Sequence, residues 1–112
     1  MPQIPNLDCA FVEQKKILDY LLNIDHPIGK TKAKYFIGLS FSVTAWASLE
    51  QALLAHPRSN PVVEQKTDQY GTRYVVDCNF PAADGTTPCI RTVWEVQPHN
   101  PCPRLITAHP KH

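Results

Sequence analysis

Long apolar runs are absent from this 112-residue chain: nothing approaches the roughly 18 consecutive apolar residues that a membrane helix needs. The start, MPQIPNLDCAFVEQKK, also lacks the basic-then-apolar pattern of a secretory leader, so the expected compartment is the cytoplasm. Net charge is nearly absent too. Eleven Lys and Arg against ten Asp and Glu leave +1, far from the basic excess of a protein that binds nucleic acid in bulk. Glycine is scarce at four residues, and no Gly/Ser linker, internal repeat or low-complexity tract divides the chain. The four cysteines form no Cys-x-x-Cys pair and no Cys/His cluster at finger spacing, which argues against a structural zinc site; no metal or other cofactor is implied. Cys9, Cys78, Cys89 and Cys102 are therefore expected as free thiols, although Cys78 and Cys89 could face each other across a hairpin.

What is present suits one domain spanning residues 1–112: 43% of the residues are hydrophobic, and the eleven prolines fall mostly at segment joints. The periodicity changes midway. A helical half, about 10–58, begins after the short run Cys9–Val12, which reads as an edge strand. Ile17, Leu18, Leu21 and Leu22 recur at helical spacing until Asp25-His26-Pro27. A second helix starts near Pro27 or Gly29, buries Ala33, Phe36 and Ile37, and closes at Gly38. Ser42 or Thr44 caps a third, with Trp46, Leu49, Leu53 and Leu54 inward and His56-Pro57 as its stop.

The second half, about 61–110, alternates as strands do: Val62 to Thr67, Thr72 to Phe80, Cys89 to Val96 and Arg104 to His109. Asp84-Gly85 supplies a hairpin turn, and Pro98 and Pro101 separate the last two strands. The predicted architecture is α+β, with N-terminal helices packed on one face of a roughly four-stranded antiparallel sheet.

Alternation in that sheet turns Arg73, Asp77, Arg91 and Glu95 away from the helices. Two arginines on adjacent strands could grip a phosphate bidentately, although the four residues by themselves read more readily as a cross-strand ion-pair lattice. The second candidate is His26 followed by Lys30, Lys32 and Lys34, where positive charge concentrates near a helix start. Its Gly29-Lys30-Thr31 string is no phosphate-binding P-loop, because Ile24 occupies the position of the earlier glycine. Alone, His26 reads as a surface or capping histidine and the lysines as a solvated face. His56 and His99 are read as surface residues, and His109 as a reserve candidate.

Several ordered segments carry a resemblance. Asp19-Tyr20-Leu21-Leu22, His26-Pro27-x-Gly29-x-x-Lys32-Ala33-Lys34-Tyr35-Phe36, Gly71-Thr72-Arg73-Tyr74-Val75-Val76, Asp84-Gly85, Arg91-Thr92-Val93-Trp94 and Arg104 to Pro110 together resemble a small bacterial domain family of unknown function. Its members stand alone or end larger toxins. The resemblance, over about residues 10–110, implies a toxin-like ribonuclease of the barnase, EndoU, colicin and RelE type of fold, acting in a toxin–antitoxin module. It implies His26, Lys32, Arg73, Arg91 and Thr107 as the active residues; His109 departs from the pattern, which more usually has an aromatic there.

Metal-free RNA cleavage needs a base for the 2′-hydroxyl, an acid for the leaving 5′-oxygen and cations for the charge that builds on phosphorus. His26 is the candidate acid or base, Lys32, Arg73 and Arg91 the clamps, and Thr107 a positioner; the second proton-transfer group is not identified. The partners implied are RNA, transfer or messenger, and a small acidic antitoxin or immunity protein; a homodimer is compatible and no membrane is involved. The alternative function is a non-catalytic protein- or RNA-binding module that uses the same basic face.

Overall fold

The computed structural model describes residues 3–27 and 30–111. Gly29, the alternative start of the second helix, and His112 lie outside the described residues. Three helices precede the sheet. The first, α1 (Gln14–Lys16), runs into a π-type turn (Ile17–Leu21); α2 is Lys30–Gly38; α3 (Trp46–Ser59) follows a 3-10 turn, Val43–Ala45, which Ser42 caps by accepting from the Ala45 amide. Strands β1 (Val62–Asp68), β2 (Gly71–Asp77), β3 (Ile90–Gln97) and β4 (Asn100–Pro110) form one antiparallel sheet in the order β1-β2-β3-β4. This is the α+β architecture that the two periodicities predict.

The core lies between the helices and one sheet face. Ile17, Leu21 and Leu22, Phe36 of α2, and Leu49 and Leu53 of α3 pack with Tyr74, Val76, Ile90, Trp94 and Leu105. Alternation settles the opposite face: cross-strand partners share a side, so the pairs Arg73–Glu95 and Asp77–Arg91 point away from that core. Ile37 departs from expectation, being 42% exposed while Ala33 and Phe36 are buried; two residues suffice as the inner stripe of so short a helix.

Several boundaries also differ. The expected edge strand Cys9–Val12 is instead a 3-10 turn, Leu7–Cys9, followed by a single parallel bridge from Phe11 to Arg104. Strand β2 stops at Asp77 because Cys78 and Asn79 take positive φ, so Phe80 leaves the strand and joins an aromatic cluster with Phe36 and Phe41. Asp84-Gly85 does form a turn, but inside a longer excursion between β2 and β3. Strand β4 starts before Pro101 and Pro103, which an edge strand tolerates where the missing amides face outward. At the start of β2, Gly71 has φ 129°, and a side chain there would strike the Val96 carbonyl.

His56 is the largest correction. Rather than ending the helix at the surface, it is fully buried, and α3 continues through Pro57 to Ser59, where the Asn60 side chain donates to the His56 carbonyl at 2.9 Å. Its Nε2 meets the Cys78 carbonyl, which can only accept, so Nε2 carries the proton. Nδ1 then accepts from the Thr92 hydroxyl at 2.8 Å, and Thr92 Oγ1 in turn accepts from Trp94 Nε1 at 2.9 Å. Every polar atom in this chain is satisfied only while the imidazole is neutral. Burial, against weaker opposing effects from the Cys78 carbonyl and Asp77, pushes the His56 pKa below its ordinary 6.5.

The cysteines are the other correction: they are paired, Cys9 with Cys102 and Cys78 with Cys89. Sheet register explains both. Cys78 donates its amide to the Ile90 carbonyl, one residue past Cys89, and the Phe11 bridge brings Cys9 beside the start of β4. Disulfides persist in oxidising surroundings, so the pairing departs from the free thiols expected of a reducing compartment. Among the described residues no helix is long and apolar enough to cross a membrane.

Two outcomes follow from this packing. Because the unfolded chain takes up a proton at His56 first, stability is full above pH 6.5 and declines as the pH falls below it, down to the depressed folded value. Urea titrations of wild type and His56→Gln should show this decline in wild type alone; parallel curves would exclude His56 as its source. Replacing Cys9 and Cys102 together by serine, which opens a bridge across a sequence separation of 93, should lower unfolding free energy by about 2–4 kcal/mol in the same assay.

Candidate functional site

Where α2 packs beside β4, three side chains distant in sequence meet. Lys32 Nζ donates to the Tyr20 hydroxyl at 2.8 Å and to Thr107 Oγ1 at 3.0 Å. Helical rise sets this up: with Ala33 and Phe36 turned into the core, Lys32 lies beside the buried stripe and its stem can reach along the edge of β4. The lysine also lies 5.0 Å from the centroid of the Tyr20 ring, and Lys16 lies 5.4 Å from it.

His26 adds an imidazole to the group, edge-on to the Tyr20 ring with centroids 5.1 Å apart and planes at 89°. Tyr20 and His26, with Glu13, Lys15, Lys16 and Asp19, line an open cleft of about 290 Å³. On the other side of Lys32 a second cleft of about 430 Å³ is lined by Thr31, Lys32, Lys34, Tyr35 and Pro110. His26, Lys32 and Thr107, three of the residues singled out in the sequence, thus converge around Tyr20, which the sequence reasoning passed over. Its sequence signal was its place in the run Asp19-Tyr20-Leu21-Leu22; the structure adds that it lies in a π-type turn, a rare geometry frequent at functional sites.

Arg73 and Arg91 stand apart from that cluster, on the sheet face turned from the helices. Arg91 grips Asp77 bidentately, Nε to Oδ1 at 2.8 Å and Nη2 to Oδ2 at 3.0 Å, while Lys111 lies 3.6 Å from the same carboxylate. Arg73 donates to Glu95 at 3.2 Å, and Arg104 reaches Glu95 at 3.5 Å and Glu13 at 3.4 Å. The cross-strand lattice is therefore present. Its carboxylates are the recessed members, with side chains only 8% exposed for Asp77 and 9% for Glu95, and the cations lie over them.

Register ties the two groups together. Thr107 pairs with Val93 and His109 with Arg91, so Thr107 shares a sheet face with Arg91 and Glu95. His109 itself is half-buried with Nδ1 at 3.1 Å from the Pro110 carbonyl. Among the described residues no group of three or more His, Cys, Asp or Glu could hold a metal.

The chain belongs to the family described as a domain of unknown function, DUF6883, whose model matches residues 3–112. No curated protein matches it in sequence. Among solved structures, a chain of a contact-dependent growth inhibition toxin–immunity protein complex from Klebsiella pneumoniae 342 has the same fold, with a TM-score of 0.70 at 24% identity. The match covers 95% of this chain and 97% of the other.

The Asp77 carboxyl is held below its ordinary 3.8, first by the Arg91 hydrogen bond and then by Arg91 and Lys111 charge, against the effect of burial. The stability it confers is present above pH 3.8 and is lost as the pH falls through the lowered folded value. Arg91→Ala should cost about 1–3 kcal/mol at neutral pH by stripping the donor from a recessed carboxylate, and should shrink that acid-side loss. Denaturant midpoints near neutrality and below about pH 4 check both.

Proposed function

We propose that this DUF6883 member is a toxin-like, metal-independent endoribonuclease whose active centre is the His26–Lys32–Thr107 group. The observation that carries the reading is the Lys32 ammonium, which is held by two neutral hydroxyls beside an imidazole. An ammonium partnered by hydroxyls keeps its charge uncompensated, and is therefore available to a phosphate in a way that a carboxylate-bound cation is not.

In this reading His26 takes the proton from the 2′-hydroxyl as that oxygen attacks phosphorus. Lys32, oriented by Thr107, faces the non-bridging oxygens, where charge accumulates in the transition state. Arg73 and Arg91, preset by Glu95 and Asp77, hold flanking phosphates on the sheet face. The RNA is expected to be transfer or messenger RNA. The fold shared with a chain of a toxin–immunity complex supports a toxin role, and it favours a small acidic immunity or antitoxin partner that covers the lysines.

The test is incubation of the purified protein with total RNA and tRNA in the presence of EDTA. Wild type should produce 2′,3′-cyclic phosphate ends, and His26→Ala and Lys32→Ala should each be slower by about 100-fold or more while unfolding at wild-type temperature. Retained cleavage by His26→Ala would remove it from the chemistry. A folded wild type that binds RNA without cutting it would instead establish a binding module.

A further inference from the structure

The mechanism above lacks an acid for the leaving 5′-oxygen, and the geometry points to Tyr20: we infer that its phenol is the catalytic proton donor. This rests on the ribonuclease reading. An ammonium can only donate, so in the 2.8 Å contact Lys32 supplies the hydrogen and the Tyr20 oxygen accepts it. The phenolic hydrogen must then be directed away from Lys32, towards a different acceptor. Among the described residues it meets no protein oxygen or nitrogen within hydrogen-bonding distance, while the side chain lines the cleft that His26 also lines.

The surroundings suit a group that gives up a proton. Lys32 and Lys16 lie 5.0 and 5.4 Å from the ring centroid, so the charge left on the phenolate would face two cations, one of them already hydrogen-bonded to that oxygen. His26, edge-on at 5.1 Å, places base and acid at one cleft. The second hydrogen bond of Lys32, to Thr107 at 3.0 Å, fixes the ammonium and with it the side of the phenol oxygen that stays open.

The step balances without a co-reactant. The 2′-oxygen forms a bond to phosphorus as its proton passes to His26; the bond from phosphorus to the 5′-oxygen breaks as the Tyr20 proton passes to that oxygen. The products are a 2′,3′-cyclic phosphate and a 5′-hydroxyl, leaving an imidazolium and a phenolate. Return of one proton from His26 to Tyr20, directly or through water, restores the starting state.

A leaving group that needs no proton separates this role from a structural one. Tyr20→Phe, which keeps the ring and its cation contacts, should cut an all-oxygen oligoribonucleotide slower than wild type by about 100-fold or more. On the same oligonucleotide with sulfur in place of the scissile 5′-oxygen, whose thiolate departs unprotonated, the variant should come within about tenfold of wild type. His26→Ala should stay defective on both substrates. Equal loss by Tyr20→Phe on both substrates would mean that Tyr20 only positions Lys32, and undiminished cutting of the all-oxygen substrate would give it no role; either overturns the assignment while the ribonuclease reading stands. If wild type cuts neither substrate, that reading falls and the assignment with it.

Discussion

The hydrogen-bonded chain from Trp94 through Thr92 and His56 to the Cys78 carbonyl is the constraint on which the sheet's two faces depend. It is buried, so leaving any member unpaired would cost on the order of 1–3 kcal/mol, and it tolerates only one tautomer of one protonation state. It joins α3 to the end of β2 and the middle of β3. With Thr92 and Trp94 held inward, pleating forces Arg91, Val93 and Glu95 outward, and a register slip by one residue would send the arginine into the core. The charged face is thus specified from beneath by a neutral histidine.

The disulfides act at the ends of the same framework. Cys78, which supplies the carbonyl to His56, is bonded to Cys89 immediately before β3, so the excursion between β2 and β3 is closed where the buried chain begins. Cys9–Cys102 performs the equivalent service at the other edge, where Phe11 donates to the Pro103 carbonyl and accepts from the Leu105 amide. That edge strand carries Thr107. The site at β4 is therefore built on backbone fixed on its inner side by β3 and at its start by the N-terminal segment, while Lys32 and Tyr20 approach from the helical side.

Much of this was legible in the sequence, because burial follows periodicity. Tyr74 and Val76, then Ile90, Thr92 and Trp94, alternate as a half-buried sheet must, and Leu49 and Leu53 mark one face of α3. The failures have local causes. His56-Pro57 looks like a helix stop, yet proline is accommodated in the last turn of α3, where it removes a single amide, the one owed to the Leu53 carbonyl. Pro101 and Pro103 look like strand breakers but lie on an edge strand. Cysteine pairing depends on tertiary register, which spacing alone does not contain. In the candidate group, His26 and Lys32 lie in the basic stretch of the sequence and Thr107 enters only through the resemblance; the structure brings the three near Tyr20, which was not singled out because a tyrosine beside two buried leucines reads as packing until Lys32 is seen to reach its hydroxyl.

Electrostatics explain why a chain of net charge +1 can still offer cations to an anion. On the sheet face each recessed carboxylate is shared between two cations: Asp77 lies between Arg91 and Lys111, which leaves about one surplus positive charge there, whereas Arg73 and Arg104 around Glu95 are balanced once the contact of Arg104 with Glu13 is counted. A phosphate arriving there must compete with a carboxylate already in place. Lys32 differs in kind: its acceptors are hydroxyls, and its charge is undiminished. Under the proposed ribonuclease reading, that difference orders the two groups. The arginines, held at fixed positions and partly neutralised, would retain and register a backbone, whereas the lysine would face the phosphorus at which charge changes during reaction, because preorganised charge is most effective where the charge develops.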